Sequence, residues 1–333
     1  MTTSPCASPV IFNSVDQCTG STICAWLPVA QNTKNTIRIV ILRFISRFLI
    51  LRLAKVALFF VKCAFFFTFA GLTKYALNMA PLFSIITVTY NAADTLPATL
   101  ASVKEQTCGM YEYIVMDGVS TDRTLKLAID AGIPRARIYS SPDKGLYDAM
   151  NKAMALATGQ YLIFLNSGDA FHSPDTLEHL ARLITDNDFP GIVYGQTCVV
   201  DSSRRYLAPR HLVAPEELTL DSFAEGMVVC HQAFVVLRKI AQPYNLKYRF
   251  SADYEWCIRC LQRSRSNVAL PDNEVMIDYL SEGMTTRNRR ASLIERFRIM
   301  SYYYGFFPTL MRHIGFVGRF LRRRRLEKSL PIG

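Results

Sequence analysis

From Phe83 to Asp169, short apolar runs alternate with stretches whose apolar residues recur at helical spacing, and this alternation constrains the fold more than any other feature of the chain. Phe83-Ser84-Ile85-Ile86-Thr87-Val88 is dense in β-branched residues and reads as a buried strand. Thr89-Tyr90-Asn91 ends it, and Asp94 stands where it can cap a helix carrying Leu96, Leu100 and Val103 on one face. Tyr113-Ile114-Val115-Met116 repeats the strand pattern, with Asp117-Gly118 at its carboxyl end and Ser120-Thr121-Asp122 as capping oxygens for a second helix. A short segment around Ile138-Tyr139, a helix from Gly145 to Ala157 and a strand over Tyr161-Leu162-Ile163-Phe164-Leu165 follow. Such alternation predicts an α/β, Rossmann-like, mainly parallel sheet flanked by helices.

Open sheets of this kind bind ligands against the carboxyl ends of their strands, and here three successive ends deliver Tyr90 and Asn91, Asp117, and Asp169. The sequence has no G-x-G-x-x-G and no Walker-type loop, which removes support from hydride transfer and P-loop chemistry. A diphosphate held without a glycine-rich cradle is neutralised by another route, typically a divalent ion on carboxylate oxygens. Asp169 is placed for that role.

The net charge of +11 suggests nucleic-acid binding until it is divided along the chain. Residues 1–78 hold eight basic and one acidic residue, and residues 285–333 hold twelve and two. That leaves 18 basic and 24 acidic residues in 79–284, so the core is acidic and the flanks are basic. Basic arms with interleaved aromatic and aliphatic residues suit an anionic membrane surface, and nucleic acid is not expected as a partner. Nine cysteines (6, 18, 24, 63, 108, 198, 230, 257, 260) form no regular framework, which fits a reducing compartment. Cys257 and Cys260 read as two small residues on a helix rather than half of a zinc site.

Residues 1–35, rich in Ser, Thr, Pro and Asn, are expected to be disordered. Residues 36–78 read as an apolar, basic helix associated with a membrane. The longest stretch there without charge, Cys63 to Thr73, has eleven residues, against the ~20 needed to span a bilayer. An interfacial helix is the leading reading, with a spanning helix from about 53 to 73 and a soluble extension as the alternatives, and Met79 offers an alternative start for the chain. Residues 285–333 form a basic amphipathic tail, in which Tyr302, Tyr303, Tyr304, Phe306 and Phe307 precede Arg322 to Arg325.

The catalytic core, residues 79–284, resembles the family-2 glycosyltransferases over about 200 residues. The segments that carry the resemblance are Ser84-Ile85-Ile86-Thr87-Val88-Thr89-Tyr90-Asn91, Asp117-Gly118-Val119-Ser120-Thr121-Asp122, Pro142-Asp143-Lys144-Gly145-Leu146-Tyr147-Asp148-Ala149-Met150-Asn151-Lys152 and Phe164-Leu165-Asn166-Ser167-Gly168-Asp169. With His231-Gln232-Ala233 and Ser251-Ala252-Asp253-Tyr254, they look most like the exopolysaccharide enzymes of the colanic-acid type. The resemblance implies the GT-A fold and an inverting transferase that uses a nucleotide-diphosphate sugar. Val88 and Tyr90 would line the nucleobase pocket, and Asp117 would accept a hydrogen bond from the base. Gly145, Asp148 and Asn151 would border ribose and diphosphate, with Asn166 nearby. Asp169 would ligate Mn²⁺ or Mg²⁺, although Asn166 and Gly168 stand where aspartates are common in the family.

Asp253 matches the family's catalytic base, because inversion needs a carboxylate on the sugar face opposite the leaving nucleotide. Glu255 ranks second for that role. His231 and Gln232 are candidates for contacting the acceptor, and Arg287, Arg289 and Arg290 could close over the diphosphate. The subgroup implies a lipid-linked saccharide acceptor at the cytoplasmic face of the cell membrane. Two alternatives remain: a sugar-nucleotide pyrophosphorylase, disfavoured because Thr89-Tyr90-Asn91-Ala92-Ala93 is not a glycine- and basic-rich loop, and a non-enzymatic protein binding membrane surface or nucleic acid through its arginines.

Overall fold

A computed structural model of the protein describes residues 80–281 and 289–316. Contacts divide the chain into Met1–Lys74 and Tyr75–Gly333, and every described residue belongs to the second unit. The expected disorder at 1–35, the helix at 36–78, the loop arginine Arg287 and the end of the basic tail all lie outside the described residues.

The chain enters a seven-stranded sheet through an interior strand, β1 (Phe83–Thr89). It then builds outward through β2 (Tyr111–Asp117) and β3 (Ala136–Ser140), both in parallel register. It returns to the opposite side of β1 with β4 (Tyr161–Phe164), also parallel. Beyond β4 lie β9 (Phe234–Leu237), β6 (Ile192–Tyr194) and β10 (Asn267–Ala269), with β9 antiparallel to both of its neighbours. The reversal between β1 and β4 opens a crevice at the carboxyl edge of the sheet, where ligands of α/β proteins bind.

All seven residues of β1 are buried. Ile86 and Val88 pack into one apolar cluster and Phe83 and Ile85 into another, as alternation along a strand covered on both faces requires. The covering helices are α1 (Leu96–Lys104), α2 (Thr124–Asp130), α3 (Leu146–Leu156), α4 (Thr176–Asp186) and α5 (Ala252–Arg263), followed by α6 (Arg289–Tyr304) and a helical run over 306–316. Helix α1 begins after Thr95 without a side-chain cap, so Asp94 does not take the capping role expected of it. Asp122 does assist α2, its Oδ1 accepting the Thr124 N–H at 2.9 Å. Cys257 and Cys260 are free, buried thiols on α5.

A second sheet, in the order β5 (Ala170–Phe171), β11 (Val275–Leu280), β7 (Gln196–Val200), β8 (Tyr206–Pro209), has no counterpart in the sequence reading. Its first strand follows Asp169 directly, which brings β11 and the β7–β8 hairpin against the carboxyl edge of the main sheet. Among the described residues no helix is long and apolar enough to cross a membrane.

Candidate active site

The loops after β1 and β2 are stitched into one wall. Asn91, held at a positive φ of 47°, accepts the Thr121 N–H on Oδ1 at 2.9 Å, while its own N–H donates to Ser120 Oγ at 2.8 Å. Asp117 is the anchor of this wall. Its oxygens accept the Ser120 hydroxyl, the Ser120 N–H at 3.0 Å, Ser140 Oγ at 2.8 Å and Thr89 Oγ1 at 3.1 Å. Burial alone would raise its pKa, but these donors outweigh burial and hold it below the usual carboxylate range. Asp117 is therefore ionised and engaged by its own loop and by the ends of β1 and β3.

Tyr90 projects from the wall, two-thirds exposed, whereas Val88 is buried in the core below it. Gly118 sits where a Cβ would meet Asp143 Oδ2 at 2.5 Å and Tyr90 Cδ2 at 3.5 Å, so Tyr90, Asp143 and the Gly118 backbone form one small recess. Asp143 Oδ1 in turn accepts the Gly145 N–H at 2.8 Å. Gly145 has φ 119°, a conformation that favours glycine, and it opens α3. Asp148 in the first turn of α3 accepts the Lys144 N–H and pairs with Lys152, both at 3.0 Å, and these contacts hold its pKa low. Asn151 makes a two-way bond to the Tyr244 backbone, at 3.0 and 2.6 Å, which fastens α3 to the segment before α5.

Asp253 stands in the first turn of α5, half-buried, its Oδ1 accepting the Tyr254 N–H at 2.9 Å. Tyr147, one helical turn before Asn151 on α3, donates its hydroxyl to the same oxygen at 3.0 Å. The Tyr147 ring stacks on Tyr244 at 5.4 Å, and Tyr244 stacks on Trp256 at 5.0 Å. Tyr147 thus fixes the carboxylate from a rigid aromatic group. Glu255, by contrast, is buried in an ion pair with Arg259 and accepts the Tyr303 hydroxyl, away from the cleft.

His231 is buried, its Nε2 2.6 Å from Tyr244 Oη and its ring stacked on Phe164 at 5.1 Å. Burial drives its pKa down to about 4, only partly offset by the charge of nearby Asp253, so it is neutral at physiological pH. Gln232 donates to Asp169 Oδ2 at 2.7 Å.

Asp169 is almost wholly buried. Besides Gln232 it accepts the Leu280 N–H from β11 on Oδ1 at 2.9 Å. Burial raises its pKa to about 7, against the opposing pull of those two donors and of Arg204. Arg204, from the β7–β8 hairpin, donates to the Gly168 carbonyl at 2.7 Å. Gly168 has φ 97°, and a Cβ there would meet Leu280 at 2.7 Å, so the turn carrying Asp169 is built for glycine. In the same turn Asn166 Oδ1 is buried without a hydrogen-bond partner.

Asp169 and Asp253 are joined by a short run of contacts: Gln232 holds Asp169, the adjacent His231 meets Tyr244, and Tyr244 stacks on the Tyr147 that holds Asp253. The structure therefore gathers two groups. One is Tyr90, Asp117, Gly118 and Asp143, and the other is Asp169, Gln232, Asp253 and Tyr147. Asn151 and His231 serve as internal ties.

Tyr147 and Arg204 carry no role in the sequence reading. The spacing of Tyr147 and Asn151 by four residues, which places them on one helix face, is the signal that could have drawn attention to the tyrosine. Nothing local marks Arg204, because its neighbours arrive from residues 168 and 278.

A mainly parallel sheet with acidic residues after β2 and β4, on either side of β1, a third carboxylate at a helix N-terminus and no dinucleotide loop defines a nucleotide-sugar transferase architecture of the GT-A type. The profile of "Glycosyl transferase family 2" matches residues 84–242. A PGL/p-HBAD biosynthesis glycosyltransferase of Mycobacterium bovis is 38% identical over 198 residues, covering 57% of this chain and 72% of that protein. The chain belongs to glycosyl transferase family 2 and is a glycosyltransferase.

An Escherichia coli enzyme named UDP-Glc:alpha-D-GlcNAc-diphosphoundecaprenol beta-1,3-glucosyltransferase is 26% identical over 174 residues, covering 52% of this chain and 67% of its own. In fold, the chain is similar to a Pyrobaculum calidifontis mannosyltransferase solved with GDP-Man and Mn²⁺. The TM-score is 0.51 at 18% identity, covering 71% of this chain and 69% of the other.

Proposed function

We propose that the protein is an inverting transferase that moves one sugar from a nucleotide-diphosphate donor to a lipid-linked saccharide, at the inner face of the cell membrane, in exopolysaccharide assembly. The observation that carries this reading is Asp253, a half-buried carboxylate at a helix N-terminus, held by Tyr147 and joined through Tyr244 and His231 to the Gln232 that holds Asp169. A base so placed takes the proton of the acceptor hydroxyl as the bond to the anomeric carbon forms. The donor base sits in the recess of Tyr90, Gly118 and Asp143, above the buried Val88 and beside Asp117, and its diphosphate runs past Gly145 and Asp148 toward Asn166 and Asp169. Asp117 acts by holding that recess in shape, and Asn151 by fixing α3.

The residues present fit a hard divalent ion, Mn²⁺ or Mg²⁺. One carboxylate and one orphaned amide oxygen, Asn166 Oδ1, lie on a single tight turn, and both are oxygen donors of the kind such ions prefer. Asp169 and Asn166 would hold it, and when bound it neutralises the departing diphosphate. Within the protein, Gln232 and Leu280 orient Asp169, and Arg204 adds a fixed positive charge beside it.

The lipid-linked acceptor draws support from the name of the Escherichia coli relative and from the basic flanks. A membrane-facing surface draws support from Tyr302, Phe306, Phe307, Met311 and Ile314, all exposed on the last helices, with Arg296, Arg298 and Arg312 in the same segments.

The test is a transfer assay with a panel of nucleotide sugars and polyprenyl-diphosphate saccharides, comparing the wild type with Asp253→Asn and Asp169→Ala. Loss of a general base lowers kcat by roughly 10²–10⁴-fold. Near-normal turnover in both variants would overturn the assignment.

A further inference from the structure

The second sheet carries a group of side chains that sugar transfer does not use. Cys198 on β7 and Asp278 on β11 are direct partners in a parallel strand pair, and His172 follows the last residue of β5. His172 Nδ1 lies 2.6 Å and Cys198 Sγ 3.0 Å from the same oxygen, Asp278 Oδ1. One ligand atom from each residue can be chosen so that all three fall within 4.8 Å of one another. The other oxygen, Asp278 Oδ2, faces Arg204 Nη2 at 3.4 Å.

We propose that His172, Cys198 and Asp278 form a binding site for a borderline-soft divalent ion, Zn²⁺ or its surrogate Co²⁺, separate from the position assigned to Asp169. The donor set is one imidazole nitrogen, one sulfur and one carboxylate oxygen, which is zinc chemistry rather than the all-oxygen chemistry of Mg²⁺ or Mn²⁺. Three protein ligands leave a fourth position for water. Bonds of about 2.0–2.3 Å in a tetrahedron set ligand atoms roughly 3.3–3.7 Å apart, so the two contacts to Asp278 need to open by less than about 1 Å and the third separation, at most 4.8 Å, needs to close by about 1 Å. His172 is half-exposed, which gives the ion a way in from solvent, while Cys198 is buried and shields the sulfur. Arg204 on the free carboxylate oxygen is the outer partner that orients Asp278. Binding converts the Cys198 thiol to a thiolate and releases its proton to solvent.

The site ties three neighbouring strands together. One of them starts right after Asp169, and another supplies the Leu280 N–H to Asp169. A bound ion would therefore stiffen the seat of Asp169 without touching the donor.

The experiment uses the full chain, stripped with EDTA and titrated with Co²⁺ under reducing, oxygen-free conditions. The expected result is a near-ultraviolet thiolate-to-cobalt charge-transfer band that saturates at one equivalent and is displaced by Zn²⁺ and not by Mg²⁺. Cys198→Ser removes that band. His172→Ala, at a half-exposed position, keeps the wild-type melting temperature in EDTA but weakens binding by more than the roughly 10–100-fold that loss of an outer partner costs. Asp169→Ala keeps the band, which separates this site from the one in the transfer reaction. Absence of a band in folded wild type, or an undiminished band in Cys198→Ser, overturns the proposal.

Discussion

Asp169→Asn isolates the cost of holding a carboxylate in the buried turn beneath Leu280. The wild-type group has its pKa raised from 3.8 to about 7, chiefly by burial. Below about pH 4 the carboxyl is protonated in both folded and unfolded chains. Between 4 and 7 the unfolded chain releases the proton while the folded chain keeps it, so stability falls as pH rises through that window and levels off above it. At 1.36 kcal/mol per unit, the shift corresponds to a ceiling of about 4 kcal/mol at pH 8. Asparagine keeps an acceptor for the Leu280 N–H but disturbs the bond from Gln232, a loss of about 1 kcal/mol.

The variant is therefore expected to be more stable than wild type at pH 8 by about 2–3 kcal/mol, or roughly 5–10 °C in Tm for a unit of this size. It should show no advantage at pH 4.5, where wild-type Asp169 is protonated. Mn²⁺ at pH 8 should raise the Tm of the wild type alone, because only a carboxylate rewards the ion. Thermal melts of both proteins at the two pH values, with and without Mn²⁺, measure all three. A Tm difference that does not change with pH would refute the reasoning.

Three further outcomes follow from the geometry. Tyr147→Phe removes one hydrogen bond to Asp253 while keeping the ring stacked on Tyr244, so kcat should fall about tenfold or more with donor KM and Tm little changed; unaltered kcat would remove Tyr147 from the machinery. Gly118→Ala places a methyl against Asp143 and Tyr90, so donor KM should rise severalfold at nearly constant kcat; an unchanged KM would place the nucleobase elsewhere. His231 has its pKa depressed from 6.5 to about 4, so its contribution to stability is lost as pH falls through that range, by up to about 3 kcal/mol. In urea melts at pH 7 and 4.5, His231→Phe should lose less stability on acidification than wild type, and equal losses would contradict a buried neutral imidazole.

Much of the sheet was legible because its signals are local. A run such as Phe83–Val88 buries both faces whatever lies around it, and the polar residues that follow each strand necessarily fall at one edge of a parallel sheet. The motifs that resemble the family are local too, and they led to the right class of enzyme. Asp94, by contrast, looked like a cap, and yet α1 begins after Thr95 without one, because local propensity does not fix where tertiary packing starts a helix.

By itself, then, the sequence determined the central α/β sheet, its carboxyl-edge acids and the basic flanks, since strand burial, helical spacing and charge are properties of neighbours in the chain. Only the tertiary structure decided what each acid does. Asp117 is engaged by Ser120, Ser140 and Thr89, Asp169 is sealed under Leu280 and Gln232, and Asp253 is held by Tyr147 from 106 positions away. A carboxylate's ionisation and reach depend on burial and on donors brought by distant segments, and no window of sequence contains them.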